Sequence, residues 1–142
     1  RLRDQQMTMN KLDRETLERL TQDFTETFNG TDIDAMMSYF AADGSLYDQH
    51  DGAQAQGDAA IRAAFQPQFD GEFGTMQFVM EDLFVDPEQG KTMVSWLCSF
   101  DTKRGRTGWR GLDILHFNEQ GKIIIKRTYA KAKVLQLVPA PG

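Results

Sequence analysis

The 142-residue chain fits one domain, and a chain of this size buries roughly two-thirds of its unfolded surface, enough to fold without staples. Its 40% hydrophobic and 26% charged residues exclude the disordered and fibrous classes, and no apolar run approaches the ~20 residues of a membrane-spanning helix. A formal charge of −5 with scattered basic residues leaves no footprint for a nucleic-acid backbone. The lone Cys98 cannot form an internal disulfide, and His50 and His116 are too few and too far apart for a zinc motif. No metal or cofactor is expected, and the expected location is a reducing cytoplasm.

The opening residues Arg1-Leu2-Arg3-Asp4-Gln5-Gln6 are polar and lack the apolar stretch of a secretory signal. Residues 1–11 are expected to be a flexible lead-in, residues 12–134 the domain, and residues 135–142 a tail. Between positions 13 and 29, Leu17, Leu20, Phe24 and Phe28 recur at spacings of three and four, the stripe of an amphipathic helix, with Gly30 as a left-handed cap. Thr31-Asp32-Ile33-Asp34 reads as the capped start of a short helix over residues 35–40. A strand is expected over 45–49, a loop over 52–57, and a third helix over 58–65 that closes near Pro67.

After Gly74 the period changes to two, which predicts strands at about 75–85, 91–102, 107–117 and 122–134. Asp86-Pro87-Glu88-Gln89-Gly90, Lys103-Arg104-Gly105-Arg106 and Asn118-Glu119-Gln120-Gly121 supply the turns. With four-residue turns at 103–106 and 118–121, Trp96 falls opposite Asp113 and Asp113 opposite Lys126. One sheet face then carries Val94, Trp96, Cys98, Phe100, Trp109, Asp113, Leu115, Phe117, Lys126 and Thr128. The reverse face carries Met93, Leu97, Leu112, Ile114, Ile123, Ile125 and Tyr129, with Ser95, Arg110, His116 and Arg127. The first face is expected to meet the helices and the second another copy of the chain. A carboxylate among tryptophans must be protonated, paired or open to a ligand cavity, because an unpaired buried charge costs several kcal/mol.

Three segments carry a resemblance: Phe24-Thr25-Glu26-Thr27-Phe28-Asn29 before Gly30; Tyr39-Phe40-Ala41-Ala42-Asp43-Gly44-Ser45-Leu46-Tyr47-Asp48; and Gly57-Asp58-Ala59-Ala60-Ile61-Arg62. With Gly111-Leu112-Asp113-Ile114-Leu115-His116-Phe117-Asn118 and Gly121-Lys122-Ile123, they resemble ketosteroid isomerases and SnoaL-like polyketide cyclases of the nuclear-transport-factor-2-like class. The resemblance spans residues 12–133. It implies an α+β fold, a cone-shaped barrel-like body with three N-terminal helices on a curved, mainly antiparallel sheet around one pocket.

Those isomerases use an aspartate base, a tyrosine oxyanion donor and a second, protonated aspartate donor. By the resemblance Asp48 matches the base and Asp113 the acidic donor, while the tyrosine position is Phe24, which cannot donate a hydrogen bond. Lys126 beside Asp113 favours the ionised carboxylate and turns that donor into half of an ion pair. The acid–base candidates are therefore Asp48, Asp113 and Lys126. The candidate ligand contacts are Phe24, Phe28, Tyr39, Tyr47, His50, Trp96, Trp109, Leu115 and Thr128, with Phe24 beside Asp48 and Asp113. An epoxide-hydrolase arrangement of Asp, Arg and Asp is disfavoured, because Arg110 and Asp113 point to opposite faces. The expected activity is acid–base chemistry on a small apolar carbonyl compound, with isomerase or cyclase outcome; the alternative is a ligand-binding or oligomerisation module. The expected partners are that small molecule and a second copy across the outer sheet face.

Overall fold

The computed structural model describes residues 11–141; of the lead-in expected over 1–11, all but residue 11 lies outside the described residues. Among the described residues Asp13 caps the first helix, α1 (Arg14–Thr27), by accepting from the Thr16 backbone N–H at 2.8 Å, and Asp32 does the same for α2 (Ile33–Met37) through Ala35. Gly30 lacks a left-handed backbone, contrary to expectation, because α1 ends in right-handed turns at Phe28. The strands β1 (Leu46–Asp48) and β2 (Gln54–Gln56) form a small hairpin, where the sequence reading placed a strand and a loop. The third helix, α3 (Asp58–Phe69), runs through Pro67 rather than closing before it. Only the one N–H that proline lacks is lost, in the final turn.

Four long strands follow: β3 (Gln77–Asp86), β4 (Lys91–Thr102), β5 (Gly105–Phe117) and β6 (Ile123–Ala130). The sheet order is β2-β1-β6-β5-β4-β3, antiparallel throughout except for the parallel pair β1 and β6. The expected strand over 122–134 stops at Ala130, and residues 131–141 run on without helix or strand. Helix α1 is fastened across the sheet by a buried hydrogen bond from Thr21 to Thr92 at 2.8 Å. The Asn29 side chain pairs with both the N–H and the C=O of Phe78, as a neighbouring strand would.

The register departs from the expected one in a regular way. The β4–β5 turn holds two residues, 103 and 104, so Trp96 faces Gly111 and Val94 faces Asp113; in β5–β6, Asp113 faces Thr128. Both registers slide by two residues, and a slide of two leaves every side chain on its expected face. Ile123 is the exception. A bulge between His116 and Phe117 brings Ile123 opposite Phe117 and turns it into the core, fully buried, instead of onto the outer face.

The main core lies between the helices and the β1–β6–β5 half of the sheet, around Leu17, Phe24, Met36, Ile61, Leu115 and Ile123. A second cluster of Val94, Trp96 and Cys98 sits under β4, and burial pushes the Cys98 thiol up to about 11, so it acts as a small packing residue. Among the described residues no helix is long and apolar enough to cross a membrane, and no group of three His, Cys, Asp or Glu side chains could hold a metal ion.

Candidate functional site

Between α1, α3 and the inner sheet face lies a cavity of about 210 Å³. Its walls are aromatic because the inward positions of β3, β4 and β5 are Phe78, Trp96 and Trp109, whose rings meet edge to face at 5.1 Å, Phe78 on Trp96 and Trp96 on Trp109. Gly111, opposite Trp96, makes this possible. A Cβ there would lie 2.7 Å from the Trp96 ring and 2.9 Å from the Trp109 ring. Phe28 at the C-terminal cap of α1, Phe65 of α3 and Tyr47 of β1 extend the wall, with Tyr47 stacked on Phe65 at 4.5 Å.

One buried charged cluster stands in this surface, whose lining also includes the polar Thr25, Gln49, His50 and Gln68. Asp113, Lys126 and Thr128 project from the inner face of β5 and β6, and they are only 4%, 3% and 6% exposed. Burying a charge is unfavourable unless each of its donors and lone pairs is used. Lys126 Nζ donates to Asp113 Oδ1 at 2.8 Å and to Thr128 Oγ1 at 2.7 Å, and Thr128 Oγ1 donates to Asp113 Oδ1 at 2.6 Å. The ammonium also lies 4.6 Å from the Tyr47 ring centroid, 5.5 Å from that of Phe65 and 5.7 Å from that of Phe28. A desolvated cation–π contact of this kind contributes about 2 kcal/mol. The Trp96 indole N–H donates to Asp113 Oδ2 at the longer distance of 3.3 Å. Among the described residues no buried side-chain nitrogen or oxygen lacks a hydrogen-bond partner. Burial pushes the pKa of the Tyr47 phenol up, with Lys126 pulling the other way, so its hydroxyl, beside Thr128, stays protonated at neutral pH.

A model of the SnoaL-like domain matches residues 21–125. The chain belongs to the SnoaL-like domain family. Among solved structures the fold is shared with SalBIII, described as an epoxide hydrolase/cyclase-like enzyme with a role in pyran ring formation in the polyether salinomycin (TM-score 0.73, 18% identity, 83% of this chain and 92% of that one). It is shared also with AusH from Aspergillus nidulans (TM-score 0.73, 18% identity, 87% and 89% covered). A third likeness is to a protein of unknown function with a cystatin-like fold from Methylobium petroleophilum PM1 (TM-score 0.72, 18% identity, 92% and 85% covered). At these identities the likeness is one of fold. No curated protein matches the sequence.

In this SnoaL-like domain the cavity collects Asp113, Lys126, Thr128, Phe28, Tyr47, His50, Trp96 and Trp109 from the candidates named above. His50 stands at the rim, its ring 5.2 Å from that of Trp109. Four candidates fall elsewhere. Asp48 sits on the outer side of β1 and bonds Arg127 Nε at 3.0 Å, because Tyr47 takes the inward position and strand neighbours alternate. Phe24 is fully buried behind Phe28, among Tyr39 and Phe40, and does not line the cavity beside Asp48 and Asp113. Tyr39 and Leu115 belong to the core on that same far side. As the facing pattern requires, Arg110 is on the outer face, its Nε donating to the two carboxylate oxygens of Glu81 at 2.9 and 3.2 Å.

Lining residues outside the sequence-derived candidates include Phe65, Phe78 and Gln49, along with Thr25, Gln68 and Met76. The first three each carried a signal: Phe65 follows Ile61 by four on α3, Gln49 follows Tyr47 by two, and Phe78 begins the alternation of β3. Replacing Gly111 by alanine should overpack the Trp96–Trp109 corner, destabilise the fold by about 1–3 kcal/mol in urea unfolding, and shift the Trp96 indole N–H resonance.

Proposed function

We propose that the cavity binds a small apolar carbonyl compound and moves a proton on it, with Asp113 as the base. The observation that carries this reading is the position of Asp113: it is the one carboxylate among the described cavity residues, held by Lys126 and Thr128 inside an aromatic wall. Its Oδ1 is taken by two partners, which leaves Oδ2, with the long Trp96 bond, to accept a proton from carbon. The electron pair moves onto the carbonyl oxygen. The Tyr47 hydroxyl is the donor proposed for that oxygen, in place of the tyrosine that Phe24 lacks; one such donor supplies roughly 3 kcal/mol of transition-state stabilisation. Return of the proton to another carbon gives an isomerase. Attack of the enolate carbon on a second carbonyl, with the proton held by Asp113 passing to the new alkoxide oxygen, gives a cyclase, and ring formation is also the role given for SalBIII.

A specific observation favours a second reading, a ligand-binding module without catalysis. Asp48, which the resemblance matches to the isomerase base, is outside the cavity and paired with Arg127. Incubating the protein in D₂O with small cyclic ketones and following α-proton exchange by NMR separates the two. Proton transfer by Asp113 predicts catalysed exchange that falls by about 10²–10⁴-fold in Asp113→Asn and persists in Asp48→Asn. Saturable binding with no exchange for any ketone would establish the binding module instead.

The outer sheet face is proposed to join two copies. Val79 and Phe84 are 60% and 66% exposed there, beside Met93, Leu97, Leu112, Ile114 and Ile125, more apolar surface than a monomer comfortably shows to water. Sedimentation at micromolar concentration should give a dimer for the native chain and a monomer for Ile114→Glu; a native monomer would contradict it.

A further inference from the structure

We infer that the cavity selects its ligand by charge and by hydrogen-bonding sense: it takes a neutral, flat molecule that presents an O–H or N–H, such as the enol form of the carbonyl compound proposed above, and rejects carboxylates and ammonium ions of the same skeleton. The inference rests on the cavity being a ligand site, as proposed above, and specifies the ligand class.

The argument is an inventory of donors and acceptors. An ammonium has three N–H groups and no acceptor. Lys126 gives one to Asp113 at 2.8 Å and one to Thr128 at 2.7 Å, while the Tyr47 ring, 4.6 Å away, takes the third. No N–H is left for an anionic ligand, although a lysine stands in the wall. Asp113 neutralises that lysine, so an entering ammonium meets a pair whose charges already cancel, and an entering carboxylate meets no free lysine or arginine, with His50 only at the rim. Either ion would lose its hydration for nothing, a penalty that dominates in an apolar enclosure.

Besides the Tyr47 hydroxyl, assigned above to a ligand oxygen, the cluster keeps spare capacity as an acceptor. Asp113 Oδ1 accepts from Lys126 and Thr128, whereas Oδ2 accepts only the Trp96 indole at 3.3 Å. A carboxylate oxygen takes two hydrogen bonds readily, so Oδ2 offers an acceptor to a ligand donor. The perpendicular indoles of Trp96 and Trp109 and the 210 Å³ volume, below the ~300–1,000 Å³ of drug-sized pockets, fit a one- or two-ring molecule. An enol or phenol meets all three conditions: neutral near pH 7, flat and a donor.

The test is a matched set of four probes at pH 7: 4-propylphenol, its methyl ether, 4-propylbenzoate and 4-propylbenzylammonium. Binding is followed by calorimetry and by the Trp96 indole N–H resonance, which sits on the same Oδ2. The phenol should bind at least about tenfold more tightly than the ether, as expected for a hydrogen bond to a charged acceptor, and the two ions should give no saturable shift. Thr128→Val frees one Lys126 N–H and should confer binding of the benzoate. Equal binding of phenol and ether, or binding of either ion to the native protein, would overturn the inference while leaving the cavity a ligand site. Failure of all four probes would overturn the ligand site itself, and the native protein alone decides should the valine variant not fold.

Discussion

An ammonium and a carboxylate that are both shut away from water must satisfy one another, and the surroundings of Asp113 and Lys126 are arranged around that demand. Removing two charges from water is expensive, and their attraction offsets the penalty only when the leftover donors and lone pairs also find partners. Thr128 bridges the pair, the Trp96 indole reaches the second carboxylate oxygen, and three aromatic rings surround the ammonium. These partners come from β4, β5, β6, β1, α1 and α3. The cluster is therefore a point where helices and sheet are held to one arrangement.

The shape of the cavity follows from small choices around this point. The rings of Phe24, Phe28, Tyr39 and Phe40 pack tightly on the far side of Phe28, at centroid distances of 5.1–5.8 Å from Phe24, so no space is left there. On the near side, Gly111 lets two indoles meet at a right angle without filling the space in front of Asp113. Phe78, Trp96 and Trp109 contact one another edge to face, a favoured aromatic geometry that supports the wall from within the protein. The site thus combines an aromatic wall with one carboxylate whose bonding capacity is not fully used.

Much of this was legible in the sequence because sheets have a period of two. The expected turn at 103–106 was too long by two residues, yet Trp96, Trp109, Asp113, Lys126 and Thr128 kept their face, and the cluster emerged from a register that was wrong in detail. The same periodicity explains the largest failure. Tyr47 and Asp48 are adjacent in a strand and cannot both face inward, so the placement of Asp48 implied by the resemblance to the isomerases conflicts with that alternation. Phe24 misled for another reason: helical spacing identifies a buried stripe, but it does not say which of Phe24 and Phe28 reaches the cavity and which packs behind. The turn of Ile123 into the core depended on a bulge, which has no fixed sequence signature.

The measurement that bears most directly on the role of the ion pair is a double-mutant cycle in urea over Asp113→Leu, Lys126→Met and the two combined. If each charge is tolerated only because of the other, either single change should destabilise the fold by roughly 3–5 kcal/mol, while the combined apolar replacement should come within about 1 kcal/mol of the native protein. Losses that simply add in the double variant would contradict this, since they would mean that the two charges are held independently and that the pair does not organise the site.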